Sequence, residues 1–167
     1  MKRATSEILF ALVIAAAALF VVTSSRALPE MVGSHFGPSG AANGFMPHQF
    51  YVRFTLAFVV LLPVALNLLV SWLARLPKAL VNIPNREYWL APERRDVTVG
   101  ALQQHMKLFG VLLVAFLCYV HWLVLHANEL APPTLDNGRF MMGLGAFMFA
   151  LITWIVVMRR KFQLPGA

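Results

Sequence analysis

The chain has 167 residues, of which 59% are hydrophobic and only 13% are charged, and its mean hydropathy is +0.70. Because a soluble domain has about 25% charged residues, this composition excludes an ordinary water-soluble domain and favours one compact unit in a membrane. The formal charge of +7 would suggest nucleic acid as the partner of a soluble protein, but the placement of the basic residues explains it otherwise. The single cysteine, Cys118, excludes an intrachain disulfide.

Four apolar runs predict membrane-spanning helices, because about 20 helical residues cross a hydrocarbon core of about 30 Å. The predicted spans cover about residues 5–24, 52–74, 105–126 and 139–159. We therefore predict an all-α integral membrane protein with a single membrane domain over residues 1–167. An ordered outer, extracytoplasmic loop, residues 24–50, joins the first two helices, and an inner basic loop, residues 75–104, joins the second and third.

The first run also has a second interpretation. Ile8 to Val22 is short, and a basic start followed by small residues near Ala27 is typical of a cleaved signal peptide. Cleavage would leave three spans and an outer N-terminus. The run Ala15 to Ala18 favours a retained helix, because small residues let helix backbones approach closely in lipid. The sequence favours retention and leaves cleavage open.

The outer loop combines turn-forming residues with apolar ones. Gly and Asn tolerate positive φ and Pro fixes φ, and such residues recur at Pro29, Gly33, Gly37-Pro38, Gly40, Asn43-Gly44 and Pro47. Apolar side chains such as Leu28 and Phe36 lie between them. We expect the loop to fold back onto the helix ends and to matter for function, because loops this long in compact proteins are usually functional.

Two residues mark the second helix. Pro63 removes a helical hydrogen bond to the carbonyl of Val59 and is expected to kink the helix. Asn67 needs a polar partner in lipid, and the simplest prediction is a residue of another helix.

The inner loop is aromatic and basic. Three prolines, Pro77, Pro84 and Pro92, set its breaks, and Tyr88 and Trp89 are flanked by Arg86, Arg94 and Arg95. This pattern is typical of an interfacial anchor, with rings at headgroup level and cations on the phosphates. From Asp96 the pattern becomes helical, and Asp96 or Thr98 is the predicted cap of a helix that continues into the third span.

The charges also predict an orientation. With a cytoplasmic N-terminus, eleven of the fourteen basic residues and four of the seven acidic ones lie inside, and the charges outside balance. The inner basic residues are Lys2, Arg3, Arg75, Lys78, Arg86, Arg94, Arg95, Lys107, Arg159, Arg160 and Lys161. The positive-inside rule describes this distribution. We expect a multi-pass protein of a bacterial inner (cytoplasmic) membrane with both termini cytoplasmic, surrounded by lipid bilayer and without nucleic acid.

The polar residues give little sign of chemistry. Four histidines fall near the outer end: His35, His48, His121 and His126. Histidines with carboxylates could bind zinc or copper, but no pair has the spacing of a metal motif, and no nucleophile–base pair is evident. No charged residue lies at mid-span, which argues against an ion-coupled transporter. We predict no metal, no cofactor and no enzymatic activity, and we interpret the histidines as structural residues that bond to loop carbonyls.

Two stretches resemble a known family. Leu28-Pro29, Val32, His35-Phe36, Gly40 and Gly44 are similar, in order and spacing, to the pattern after the first helix of a widespread bacterial membrane domain of unknown function. That domain also forms the N-terminal part of SdpI-type toxin-immunity proteins. The stretch from Ile83 to Leu90, with Pro92-Glu93-Arg94-Arg95, resembles a segment of short proteins that carry the domain. With Asn67, these stretches supply the candidate interaction or structural residues: Leu28, Pro29, His35, Phe36, Gly40, Gly44, Asn67, Pro84, Asn85, Arg86, Tyr88, Trp89, Arg94 and Arg95.

The chain departs from the family pattern in three respects. Gly33-Ser34 stands where a proline or an apolar residue is usual before the His-Phe pair. Pro47-His48-Gln49 stands where a lysine or threonine is often found before the second helix. The second half of SdpI-type proteins is absent.

Two functional hypotheses follow. In the first, the chain is an accessory subunit whose small-residue helices pack against a larger membrane protein complex. In the second, it is an SdpI-like immunity or signalling protein in which the loop around His35 meets an extracellular peptide and the inner loop contacts a cytoplasmic partner. The small size, the absence of a mid-membrane ionisable group and the absence of the second SdpI-type half favour the subunit.

Overall fold

The computed structural model describes residues 3–73 and 81–164, and the chain is mostly helical. The elements in order are α1 (Arg3–Ser24), β1 (Met31–Phe36), β2 (Ala42–Pro47), α2 (His48–Leu56), α3 (Leu62–Leu73), α4 (Arg86–Trp89), α5 (Arg95–Ala127) and α6 (Asn137–Lys161). Predictions for Lys2, Arg75, Pro77, Lys78 and the side chain of Arg3 lie outside the described residues.

Within residues 3–73 and 81–164, four helical stretches are long and apolar enough to cross a membrane, which confirms that part of the prediction. They are Ala4–Ala27, His48–Trp72, Arg95–Ala127 and Asn137–Lys161. The third begins at Arg95, well before the predicted span, and its 33 residues correspond to about 50 Å of helix. Its first turns therefore extend beyond a hydrocarbon core of about 30 Å.

The outer loop departs from the all-α prediction because it contains a two-stranded antiparallel sheet. In this hairpin, residues 31–47, Val32 pairs with Met46 and Phe36 with Ala42, and the register shifts near His35. Exposure along β2 alternates between half-buried and exposed residues, as expected for a strand with one face on the protein. The turn-forming residues between the strands allow the chain to reverse there.

Helix α5 is the centre of the bundle and contacts α1, α3 and α6. The core between the first three spans is formed by Ala17, Val21, Val59 and Val114. Side chains at Ala17 and Val21 lie one turn apart on α1, so one face of that helix packs inward. Helix α6 packs against α5, and Asp136 caps its first turn by accepting a hydrogen bond from the Arg139 amide at 2.9 Å.

The second span is not a regular α-helix. Residues Ala57–Leu61 form a π-helical turn between α2 and α3, and the turn ends two residues before Pro63. Pro63 has no N–H to donate, and a wider turn is a common way for a helix to accommodate such a break.

Asn67 corrects the prediction of a partner on another helix. Its Nδ2 donates to the carbonyl of Pro63, one turn earlier in the same helix, at 2.9 Å. The interhelical hydrogen bond nearby is made by Gln103, which donates to Ser71 at 3.1 Å. An asparagine side chain can find its hydrogen-bond partner within its own helix, because its amide group reaches the backbone carbonyl four residues earlier.

The start of α5 corrects the predicted cap. The residue at the cap position is Arg94, which makes no side-chain capping hydrogen bond. Asp96 lies in the first turn, where a carboxylate interacts favourably with the helix dipole. The hydroxyl of Thr98 is buried and donates to the carbonyl of Trp89 at 2.7 Å, so it joins α5 to α4.

Candidate functional site

The largest buried polar side chain of the described residues at the hairpin end of the bundle is His121. It projects from α5 and is 1% exposed. Its Nε2 lies 3.0 Å from the Ser24 hydroxyl on α1, and its Nδ1 lies 2.7 Å from the Tyr51 hydroxyl on α2. These three residues, called the His121 network below, join three membrane-spanning stretches through hydrogen bonds.

The hydrogen-bond pattern assigns the proton on His121. The Ser24 hydroxyl also lies 2.6 Å from the carbonyl of Phe20, which can only accept, so the serine hydrogen is donated there. His121 Nε2–H then donates to the serine oxygen, and Tyr51 O–H donates to Nδ1. Every member of the network is satisfied, as buried polar groups require. The arrangement therefore fixes the rotation of α5 relative to α1 and α2.

A small cavity of about 160 Å³ lies beside the network. Its walls include Tyr51, His121 and Ser34, together with the apolar side chains of Phe54 and Phe58. The volume suits a few water molecules, since each water takes about 30 Å³. The cavity therefore lies between the His121 network and Ser34 of the hairpin.

Strand β1 of the hairpin is attached to the bundle through Asn128, at the end of α5. The Asn128 side chain accepts from the Gly33 amide at 2.7 Å and donates to the Gly33 carbonyl at 2.9 Å. The same Nδ2 donates to the carbonyl of Val124 at 2.8 Å. One amide side chain thus completes the backbone hydrogen bonds of β1 and anchors the strand to α5.

The tip of the hairpin meets the connection before α6. The Leu135 amide donates to the Gly40 carbonyl at 2.8 Å, and Asn137 Nδ2 donates to the Pro38 carbonyl at 2.8 Å. Gly40 has φ of +84°, and a Cβ there would approach the Leu135 carbonyl to 2.5 Å. Only glycine satisfies both constraints.

The predicted loop residues are therefore mainly parts of the hairpin. Leu28 and Phe36 pack against the buried cluster of Val32, Tyr51 and Val124. His35 is exposed, and its Nδ1 donates to the Asn43 side chain across the hairpin. Gly44 lies opposite His35, where a Cβ would approach the His35 Cβ to 2.9 Å. Pro29 is exposed ahead of β1.

The other histidines do not join the network. His48 donates to the Ser25 carbonyl at 2.8 Å, and His126 donates to the Trp122 carbonyl of its own helix at 2.9 Å. His105 lies toward the other end of α5, near Trp154. Within the described residues, no three His, Cys, Asp or Glu side chains come close enough to hold a metal ion.

The inner motif, residues 83–95, covers the C-terminal end of α6. Trp89 Nε1 and Asn85 Nδ2 both donate to the Phe162 carbonyl, at 2.8 and 3.0 Å. Phe162 is 1% exposed and packs with Ile83 and Leu90. Helix ends leave carbonyls without intrahelical partners, and this motif supplies donors for one of them.

The remaining motif residues support the same turn. Asn85 has φ of +52°, a left-handed conformation that asparagine tolerates, just after Pro84. The Arg94 guanidinium lies over the Tyr88 ring at 4.0 Å from its centre, which is a cation–π contact. Arg86 lies 3.4 Å from the Glu87 carboxylate, and Arg95 begins α5. These residues thus connect the N-terminal end of α5 to the C-terminal end of α6.

Sequence reasoning missed Ser24, Tyr51 and Asn128 as site residues. The available signal was weak, since each is a polar residue near a helix end, where polar residues are common. The His121 network depends on partners 97 and 70 residues away in the chain. No spacing rule within one helix can detect such contacts.

Comparison of the chain with protein-family models, with curated protein sequences and with solved structures finds no match in any of the three. The resemblance to the SdpI-type domain therefore stays a prediction from the two quoted stretches.

Proposed function

We propose that this chain is a non-catalytic accessory subunit that packs against a larger protein complex of a bacterial inner membrane. The observation that carries the proposal is the state of α6. None of the residues of α6, all of which the structure describes, is buried. Side-chain exposure reaches 75% at Met142 and 75% at Phe149.

The exposed face of α6 has the spacing of a helix-packing seam. Met142, Gly145, Phe149, Ile152 and Val156 follow one another at intervals of three and four residues. This is the spacing at which two membrane helices interdigitate with a left-handed crossing. Gly145 lies in the middle of the seam, and a Cβ built there would have no atom of the described residues within 4 Å, apart from its chain neighbours and the adjacent backbone of α6. Contacts within the described chain do not require a glycine at this position, whereas the close approach of a second helix would.

Gly143, two residues away, behaves differently. A Cβ built there would overlap the Tyr119 ring, so this glycine serves the contact between α5 and α6. Gly143 therefore belongs to the contact between α5 and α6, and Gly145 belongs to the exposed face of α6. The external face alone is assigned to the partner.

The orientation proposed with this function has both chain ends in the cytoplasm. The hairpin and the α5–α6 connection lie at one end of the bundle, and the inner motif with the C-terminal end of α6 lies at the other. The basic excess falls at the second end, which supports a cytoplasmic side there by the positive-inside rule.

The test is purification from the source membrane in mild detergent, with mass spectrometry of the proteins that migrate with the chain. We expect a larger complex at constant stoichiometry. In Gly145→Trp, recovery of the partner should fall about tenfold, because overpacking an interface costs about 1–3 kcal/mol. Thermal stability of the purified chain should stay unchanged.

The matched control is Val157→Trp, a similar enlargement on α6 about a quarter-turn or more away from the seam. It should leave the partner bound. Migration of the wild-type chain as a lone particle, or equal recovery of the partner in both variants, would contradict the subunit proposal.

A second candidate, an immunity or signalling protein, is favoured by one specific observation. Helix α6 is hydrogen-bonded at both ends to candidate motifs: Asn137 to the hairpin tip, and the Phe162 carbonyl to Trp89 and Asn85. A peptide bound at the hairpin could therefore displace α6 and alter the inner motif. Expression in a toxin-sensitive host should then give protection that His35→Ala removes and His126→Ala retains. Unchanged protection in His35→Ala would exclude this role for the hairpin.

A further inference from the structure

A groove opens between α1 and the second span. It has a volume of about 650 Å³, and its lining includes Ala11 and Ala15 of α1, Val64 and Asn67 of the second span, and the charged residues Glu7 and Lys107. Small residues at Ala11 and Ala15, one turn apart, leave space that larger side chains would fill. The volume falls within the range of about 300–1,000 Å³ typical of ligand sites.

The base of the groove depends on Gly110 of α5. A Cβ there would approach the Phe10 ring to 2.8 Å and the Asn67 amide nitrogen to 3.2 Å. The glycine thus lets side chains from α1 and α3 meet over α5. Lys107 lies about one turn before Gly110 on the same helix, so polar groups are confined to the inner end of the groove.

Lys107 is a buried cation at that end. It is 8% exposed, and its ammonium group donates to Glu7 and, at 3.3 Å, to the Ser6 hydroxyl. An ammonium group has three hydrogens, so one of them has no acceptor among the described residues. The side chain of Glu7 is 54% exposed, and its second carboxylate oxygen is available to a further donor.

We propose that this groove binds one phospholipid with a zwitterionic headgroup that carries a primary amine, with an acyl chain along the alanine face. The phosphate accepts the third hydrogen of Lys107, and the ammonium group of the lipid donates to Glu7. A buried charge is stabilised by each charge-assisted hydrogen bond that it makes. The acyl chain lies against Ala11, Ala15 and Val64.

Charge complementarity selects this headgroup. Lys107 and Glu7 together carry no net charge, and they present a cation and an anion side by side. A phosphate next to an amine matches this pair with opposite signs. A purely anionic headgroup would satisfy Lys107 but would face the exposed carboxylate of Glu7, and like charges repel each other.

The experiment is native mass spectrometry of the full chain in mild detergent, after removal of co-purified lipid. The probes are phosphatidylethanolamine, phosphatidylcholine and phosphatidylglycerol, each added at the same concentration. We expect one phosphatidylethanolamine per chain, retained about tenfold better than phosphatidylglycerol. Phosphatidylcholine should be retained less well, because its quaternary amine has no hydrogen to donate to Glu7.

Two variants test the two parts of the groove. Glu7→Gln should abolish the preference for phosphatidylethanolamine over phosphatidylglycerol, because it removes the anion and keeps the shape. Ala15→Phe should fill the apolar part and lower retention of every lipid about tenfold. Ala16→Phe is the matched control, since Ala16 is exposed and does not line the groove, and it should retain lipid as the wild type does.

The proposal would be overturned by any of three results. The first is wild-type preference for phosphatidylglycerol, and the second is equal lipid retention in Ala15→Phe and Ala16→Phe. The third is release of a protein partner by Ala15→Phe with lipid retention unchanged, which would assign the groove to a partner helix. Because the proposed subunit contact uses α6, failure of the lipid site leaves the Gly145→Trp result unaffected.

Discussion

At the scale of single residues, His121 determines how the outer ends of three spans meet. Both of its ring nitrogens are hydrogen-bonded, one to Ser24 and one to Tyr51. The edge of the Phe20 ring also packs on it, at 5.6 Å between ring centres. A buried imidazole tolerates this apolar site because no ring nitrogen is left without a partner.

Ser24→Ala should therefore destabilise the chain by about 1–3 kcal/mol, because it leaves the His121 Nε2–H buried without an acceptor. The measurement is thermal or denaturant unfolding in detergent. The control is Thr23→Ala at the neighbouring position, whose hydroxyl is exposed and bonds to carbonyls of its own helix. We expect that control to change stability by less than about 0.5 kcal/mol. Equal effects of the two substitutions would show that the network contributes nothing.

Asn67 gives a second lesson at this scale. An amide in an apolar helix suggests an interhelical hydrogen bond, but the nearest carbonyl is four residues back in the same helix. The side chain satisfies one donor locally and still packs over Gly110. Asn67 therefore contributes to the fold mainly through its packing against α5.

At the scale of elements, the hairpin is held outside its own strands by hydrogen bonds to Asn128 at the end of α5 and to the connection before α6, where the Ala42 amide donates to the Pro133 carbonyl. Asn128 bonds both backbone groups of Gly33, and Asn137 bonds only the carbonyl of Pro38 at the tip. Two-stranded hairpins are marginal without further packing. The attachment at Asn128 should thus contribute to keeping β1 docked on α5.

Asn128→Ala should raise amide hydrogen exchange across residues 31–47 about tenfold or more, since it removes two hydrogen bonds worth about 0.5–1.5 kcal/mol each. The measurement is hydrogen exchange with mass spectrometry. Asn137→Ala is the comparison, and its effect should be smaller and confined to the tip. An equal rise in both variants, or none in Asn128→Ala, would show that apolar packing of Leu28 and Phe36 holds the hairpin.

At the opposite end of the bundle, side chains of the inner motif likewise bond to the backbone of another element. Trp89 and Asn85 donate to a single carbonyl at the end of α6, while Thr98 ties α5 to the carbonyl of Trp89. Three elements therefore meet at this turn. The pattern of aromatic and basic residues is readable in the sequence, but the carbonyl that it serves is not.

At the scale of the whole molecule, the four long apolar helices form an uneven bundle. Three spans share a buried core around Val59 and Val114, and α6 packs against α5 with one face fully exposed. In lipid, an apolar face carries no penalty for exposure, so association depends on close packing and polar contacts. The face around Gly145 is suited to the first of these.

Orientation is testable by cysteine labelling, because Cys118 is the only cysteine in the sequence. In a Cys118→Ala background, Ser39→Cys at the hairpin tip should react with a membrane-impermeant maleimide in intact cells whose outer membrane has been permeabilised. Glu87→Cys in the inner motif should react only after lysis. Both positions are exposed, so access to the reagent is not limited by burial. The reverse pattern would contradict a cytoplasmic N-terminus.

The sequence by itself determined the four long apolar helices and the breaks between them. Run length and turn-forming residues are local properties, and a helix in lipid satisfies its own backbone without neighbours. Only the tertiary structure decided that Ser24 and Tyr51 meet His121, that Asn128 holds Gly33, and that α6 keeps an open face. These contacts depend on the rotation and register of each helix against the others, and a run of uniformly apolar residues leaves both undetermined.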